Sequence, residues 1–268
     1  MEFVLLTCRL RSFKGANANA SSSIAQASNI FHNFKFLKVL DLEFTVIDSF
    51  PTKLVYLRYF AARTSKESIT PSVDKLWNLE TLIITKGNLS VPMTVWKMAK
   101  LRHLHISHCL TSEELSDESS KLDYLGTFST PYFSCVEDAG LMLRKTPNIR
   151  ELRCKFKGLC SGQFPILGAK QLKVLNIFDD RPVKVLSYLV CISASNIKKL
   201  KVSFLRLGLQ HLSNIAQFQN LQELELNFVE FEDNEWKVSS DEFPQLKVLK
   251  LQSLIQLEKW IVSDEAFP

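Results

Sequence analysis

Leu37-Lys38-Val39-Leu40-Asp41-Leu42 returns 209 residues further on as Leu246-Lys247-Val248-Leu249-Lys250-Leu251. Between these two stretches the same pattern, Leu-x-x-Leu-x-Leu with conservative replacements, recurs along the chain. Ten copies can be laid out, starting at Leu37, Leu54, Leu79, Leu101, Leu122, Ile149, Leu172, Ile197, Leu221 and Leu246, the fifth being degenerate with Thr127 in its last position. Successive starts lie 17, 25, 22, 21, 27, 23, 25, 24 and 25 residues apart. A chain without internal repetition has no reason to place one strand pattern about once every two dozen residues.

The Leu-x-Leu centre has the period of two that makes a short strand and points its leucines one way. The leading leucine arrives at the bend before the strand and points into the same core. One unit cannot shelter these side chains by itself. Stacked units pair strand to strand in parallel and merge their leucines into one column, which is the leucine-rich-repeat architecture, with repeats of about 20 to 29 residues. The expected fold class is α/β: a leucine-rich-repeat solenoid (horseshoe) with a parallel β-sheet on its concave face and mostly turns and short helices on its convex face. Pro51, Pro71, Pro92, Pro147, Pro165 and Pro244 interrupt the connections, so helix is expected only at the proline-free stretches Val183–Cys191 and Leu209–Phe218.

At 268 residues, 46% apolar and 23% charged, the chain has the material for a large core. Its 33 basic and 28 acidic residues leave +5, spread along the sequence instead of gathered into a tail or stripe, so nucleic acid is not the expected partner. No run approaches the roughly 18 apolar residues of a membrane span, and residues 1–10 lack the basic start and longer apolar stretch of an export signal. The six cysteines form no C-x-x-C pair, which suits reduced thiols in the cytoplasm. Gly162-Gln163-Phe164-Pro165-Ile166-Leu167-Gly168-Ala169-Lys170 has the wrong glycine spacing for a phosphate loop and a proline inside it, so no cofactor is expected.

One domain of about ten repeats is expected, preceded by a flank. Residues 1–36 read as an N-terminal flank containing a mobile, small and polar loop at 15–28, and residues 37–268 as the repeat domain. Phe243-Pro244 stands before the last complete copy, and Phe267-Pro268 repeats it 24 residues later, where an eleventh strand would begin. No polar cap covers that end, so the repeat domain reads as truncated at its C-terminus.

Core positions in a strand alternate with outward ones, so the residues flanking the leucines read as the concave face. The candidate protein-binding residues there are Tyr56, Arg58, Phe60, His103, His105, Tyr124, Phe128, Arg153, Lys155, Phe178, Lys199, Lys201, Glu223 and Glu225. The aromatics would anchor a protein partner. The basic cluster of Arg153, Lys155, Lys199 and Lys201, between Glu151 and Glu223/Glu225, has two readings: pairing across neighbouring strands, Lys201 with Glu225, or a patch facing a partner. His103-Leu104-His105-Ile106-Ser107-His108-Cys109 invites zinc, because two imidazoles share one face. Against this, His108 and Cys109 are expected past the strand in the turn and the stretch holds no carboxylate, so no metal is expected. No Gly-x-Ser-x-Gly is present and no spacing joins a Cys, a His and an acid, so no catalysis is expected. Ser112–Ser120, acidic and serine-rich, reads as a solvated loop.

Phe36-Leu37-Lys38-Val39-Leu40-Asp41-Leu42-Glu43, Lys75-Leu76-Trp77-Asn78-Leu79-Glu80-Thr81-Leu82 and Trp96-Lys97-Met98-Ala99-Lys100-Leu101-Arg102-His103-Leu104 carry more than the generic pattern, which does not dictate tryptophan. From about Arg9 onward the chain resembles the repeat region of plant intracellular immune receptors, most closely the coiled-coil class of the nightshade family that includes the late-blight-resistance type. The resemblance implies a non-enzymatic protein-binding module that recognises a pathogen effector or partner protein. It further implies restraint of a receptor's switch domain in the defence and hypersensitive response. Expected partners are therefore an effector, a partner receptor or the receptor's own nucleotide-binding domain. This sequence departs from the family in containing neither the coiled-coil nor the nucleotide-binding module. The alternative is a substrate adaptor of a ubiquitin ligase, which needs a helical cullin-docking module ahead of its repeats, where only about 36 residues stand.

Overall fold

The structure, a computed structural model, describes residues 10–15, 34–85, 89–110, 121–133, 136–156, 170–178, 196–264 and 266–267. The chain forms two compact units, Met1–Pro131 and Tyr132–Pro268. In the first, β1 (Ser12–Lys14), β2 (Val39–Ile47), β3 (Tyr59–Thr64), β4 (Thr81–Thr85) and β6 (His103–Leu110) lie side by side in that order. All these pairings are parallel. The short β5 (Leu89–Ser90) pairs with the end of β6, and β7 (Thr127–Phe133) lies beside β6. The register sets Leu40, Phe60, Leu82 and Leu104 in one row, and all four are buried. Two single-turn helices, Pro71–Lys75 and Met93–Lys97, follow β3 and β5 and bury Val73, Val95 and Trp96. Proline opens or precedes each, a position where a helix needs no N–H.

That row corrects two of the ten frames. Read from Leu54, the second copy puts Tyr59 in the core and Phe60 on the face, yet Phe60 pairs with Leu40 and is fully buried. The fifth copy slips in the same way. The Thr127 N–H donates to the Arg102 carbonyl just as the His103 N–H donates to that of Glu80, so Phe128 takes the leucine place and is buried. The cause is a further inward position three residues ahead of each motif, where the leading residue's N–H closes a tight turn onto Phe34, Leu54, Leu76, Met98, Leu122, Phe218 or Phe243. All seven are buried. With Leu54-x-x-Leu57-x-x-Phe60 in the chain, two frames fit the leucines equally well. In the frames the backbone adopts, the second and fifth copies start at Leu57 and Leu125, and every interval falls between 20 and 25 residues.

The second unit contains α1 (Val136–Lys145), β8 (Glu151–Phe156), β9 (Val174–Phe178), β10 (Lys199–Ser203), β11 (Arg206–Leu207), α2 (Leu209–Ala216), β12 (Glu223–Asn227), β13 (Glu230–Phe231), β14 (Glu235–Val238), β15 (Val248–Gln252) and β16 (Lys259–Val262). Strands β8, β9, β10, β12 and β15 pair in parallel in that order, with Leu152, Leu175, Leu200, Leu224 and Leu249 in one row. Two further parallel pairs, β11 with β13 and β14 with β16, lie off this sheet.

Helix α2 lies within the stretch expected to be helical and buries His211, Leu212, Ile215 and Ala216. Helix α1 was not expected; its buried Ala139, Met142 and Leu143 have the one-face spacing of a helix. The sequence also placed His108 and Cys109 in a turn. Strand β6 runs through both, because β5 supplies a backbone partner for Cys109 and Leu110. The helix expected at Val183–Cys191, the loops at 16–28 and Ser112–Ser120, and the glycine stretch from Gly162 to Ala169 fall outside the described residues. Each unit is a leucine-rich-repeat stack, and the chain has the α/β solenoid fold class read from its sequence.

Candidate functional site

Alternation along the strands of the first unit turns outward Val39 and Asp41 on β2, Tyr59 and Arg63 on β3 with the fully buried Ala61 between them, Thr81, Ile83 and Thr85 on β4, and His103 and His105 on β6. Of the expected face residues, His103 and His105 are there. The His103 Nδ1 lies 3.2 Å from the Thr127 hydroxyl. Phe60 and Phe128 are core side chains for the reason given above. Tyr56, Arg58 and Tyr124 lie in the bends ahead of their strands, not on the sheet face. The Tyr56 ring lies tilted against that of Phe36 with ring centroids 5.8 Å apart, Arg58 reaches Glu80 at 3.7 Å, and Tyr124 is 66% exposed. Trp77 occupies a similar bend, with the Lys100 ammonium 4.7 Å above its ring. Tyr59 and Arg63 are the face residues that the shifted frame hid. The inward residue three positions ahead of each motif was the signal that could have revealed them.

Charge on this face is sparse. Lys14 pairs with Asp41 at 3.2 Å, and the Arg63 guanidinium lies 5.6 Å above the Phe44 ring. Burial, followed by the carboxylates of Asp41 and Glu43, holds the Tyr59 phenol above its ordinary pKa. Among the described residues no three His, Cys, Asp or Glu side chains are grouped to hold a metal ion.

The second unit presents a different face. Register sets Glu223 between Lys199 and Val248, and Glu225 between Lys201 and Lys250. The Lys199 ammonium is 2.8 Å from Glu223 Oε2, and Lys250 is 2.7 Å from the other oxygen of the same carboxylate. Lys201 bonds Glu225 at 2.6 Å, and Asn227 donates to that same oxygen. Hydrogen bonds from Lys199 and then Lys250 pull the Glu223 pKa down to about 2; Lys201 and then Asn227 lower that of Glu225. On β8, Arg153 pairs with Glu151 at 3.0 Å. Lys155 is almost buried and its ammonium stands 4.8 Å above the Phe178 ring. Of the two sequence readings of these charges, cross-strand pairing of Lys201 with Glu225 is the observed geometry. Cys154, in a core position, is a free thiol whose pKa burial pushes up.

Just past β10 and β12, Phe204 and Phe228 adopt positive φ of 59° and 52°. Their rings stack 4.8 Å apart and nearly parallel, at 3°, while about two-fifths exposed. Sequence reasoning missed this pair, and its signal was the 24-residue offset, one repeat, between the two phenylalanines.

Parallel rows, an apolar inward column and an outward face of alternating side chains define a leucine-rich-repeat protein. No family model matches the sequence. It is 50% identical over 258 residues to the late blight resistance protein homolog R1B-16 of Solanum demissum, covering 92% of this chain and 20% of that protein. Homolog R1B-23 of the same species is 48% identical over 261 residues, covering 92% of this chain and 20% of that protein. The chain is thus homologous to a stretch of the late blight resistance proteins and spans about a fifth of the length of the curated relatives it matches. Among solved structures, the plant peptide hormone receptor RGFR1 in complex with RGF2 superposes with a TM-score of 0.50 at 14% identity, over 83% of this chain and 36% of that one. That likeness shows the fold. No helix among the described residues is long and apolar enough to cross a membrane.

Proposed function

We propose that the chain is the protein-recognition module of a plant disease-resistance receptor of the late blight type. It binds a pathogen effector or partner protein through its strand faces and restrains the receptor's nucleotide-binding switch until that partner arrives. The observation that carries this reading is half identity to resistance-protein homologs across nine-tenths of the chain. The chemistry of the faces supports it. Outward side chains recur at every second strand residue and include aromatic, imidazole and ion-paired groups, which suits contact with another protein. Cys154 is buried and held as a thiol, a poor nucleophile. The module acts by contact, without enzymatic chemistry or a cofactor of its own, and in the cytoplasm. Residues 37–268 form the recognising domain and residues 1–36 its flank.

The test is to graft this chain into R1B-16 in place of the matching segment and score cell death in leaf tissue at rest and after challenge. The graft is expected to be silent at rest, and Tyr59→Ala with His103→Ala to change the response. A receptor whose resting and induced behaviour is the same with the segment deleted overturns the reading.

A further inference from the structure

In the second unit, the residue leading into each strand occupies a row defined by the backbone. The Arg150 carbonyl accepts the N–H groups of Lys173 and Val174 at 2.9 and 3.0 Å, and the Lys173 carbonyl those of Lys198 and Lys199 at 2.8 and 3.0 Å. The Lys198 carbonyl then accepts from Gln222 and Glu223, and the Gln222 carbonyl from Lys247 and Val248. The side chains of this row are Arg150, Lys173, Lys198, Gln222 and Lys247: four cations, one amide and no acid. Neighbouring strands bring them about 4.8 Å apart at the backbone. All four cations are exposed, and none makes an ion pair with a described residue.

The adjoining row cannot neutralise them, because its acids are engaged. Glu151 is taken by Arg153, and Glu223 is clasped between Lys199 and Lys250. On the other side stand the neutral amides Asn148, Gln171, Asn196, Asn220 and Gln245. The same row in the first unit reads Lys38, Arg58, Glu80, Arg102 and Gly126, and there Glu80 breaks the run by pairing with Arg58. Like charges on adjacent strands repel, so the uncompensated row of the second unit is a surface with its counter-charges missing.

We propose that this row docks the acidic face of a helix in a partner protein. Carboxylates at i, i+3 or i+4, and i+7 of a helix stand about 5–6 Å apart, close to the strand spacing. An extended segment would set same-side carboxylates about 6.8 Å apart and fall out of step. The proposal rests on the reading of the chain as a protein-binding module and adds the chemistry of one partner.

The test titrates the whole 268-residue chain with a labelled helical peptide carrying Glu at i, i+4, i+7 and i+11, and with its Gln counterpart. The Glu peptide is expected to bind, more weakly as salt rises, and the Gln peptide not to bind. Lys173→Glu with Lys198→Glu is expected to weaken binding at least about tenfold. Lys66→Glu with Lys97→Glu, the same charge change in the first unit, should leave it within about twofold. Should the double reversal fail to fold, Lys173→Gln with Lys198→Gln is read instead, with several-fold weakening expected. Equal loss in both double reversals, indifference to Glu against Gln, or tighter binding of inorganic polyphosphate or single-stranded DNA overturns the proposal. A receptor graft that responds while the peptide does not bind removes this row and leaves the module reading. Peptide binding with an unresponsive graft does the reverse.

Discussion

Strands β3, β4 and β6 of the first unit turn Tyr59, Thr81, Ile83, His103 and His105 outward; strands β10, β12 and β15 of the second turn out Lys199, Lys201, Glu223, Glu225 and Lys250. The backbone does the same thing in both. Parallel rows repeat, a leucine or phenylalanine fills the inward place, and each lead-in carbonyl accepts two N–H groups from the next repeat. Inward residues therefore decide the fold, and outward ones are left to set the chemistry. One unit offers a nearly uncharged surface and the other a charge-paired one. A partner that needs desolvated aromatic or imidazole contact fits the first, and a partner that must match charge fits the second.

The largest expected effect tests the row on which that comparison stands. Phe60→Ala deletes a fully buried ring and should cost about 3–5 kcal/mol in denaturant unfolding, whereas Tyr56→Ala, on an exposed ring, should cost about 1 kcal/mol or less. Equal losses would restore the frame that starts at Leu54 and exchange core for face throughout β3.

The strands were legible in the sequence because the pattern depends only on alternation. The frame was less so. In the second unit the starts are a steady 23–25 residues apart, and no leucine three residues ahead of a motif competes, so spacing alone matches Lys201 with Glu225. In the first unit the extra inward column doubled the choice, and Tyr56, Arg58, Phe60, Tyr124 and Phe128 were placed three residues out of phase. Helix α1 escaped because only Ala139, Met142 and Leu143 mark its apolar face. The lead-in cations escaped for a different reason. Arg150, Lys173, Lys198 and Lys247 are 23, 25 and 49 residues apart in sequence, so they read as scattered charge until the register gathers them into a row.

A second prediction sharpens the charged side of the comparison. Glu223 has its pKa lowered to about 2, so its contribution is complete above the ordinary carboxylate value of about 4.5 and is lost as pH falls toward 2. Solvent screening of this partly exposed group reduces the contribution to about 1 kcal/mol. Hydrogen exchange followed strand by strand should therefore show β12 and its neighbours loosening below pH 4.5 before β4 does, and Glu223→Gln should remove the difference. Simultaneous loosening of both faces would mean that the cluster of Lys199, Glu223 and Lys250 adds nothing to local stability.

The smallest effect concerns backbone strain, which also divides the units. All five described non-glycine residues with positive φ, Phe204, Phe228, Phe243, Ser253 and Gln256, belong to the second. Phe204 at 59° is in the region where a Cβ crowds the following carbonyl, a cost of about 1 kcal/mol that its stack on Phe228 offsets. Glycine at this position loses the stack but also the strain, while alanine loses the stack and keeps the strain. Phe204→Gly should therefore be the more stable variant of the two by about 0.5–1 kcal/mol, the reverse of the usual order in regular structure. Thermal unfolding of the pair decides it: an alanine variant at least as stable as the glycine one would mean that the turn after β10 relaxes freely. The stacked phenylalanines would then be held by ring contact alone and not in opposition to their own backbone.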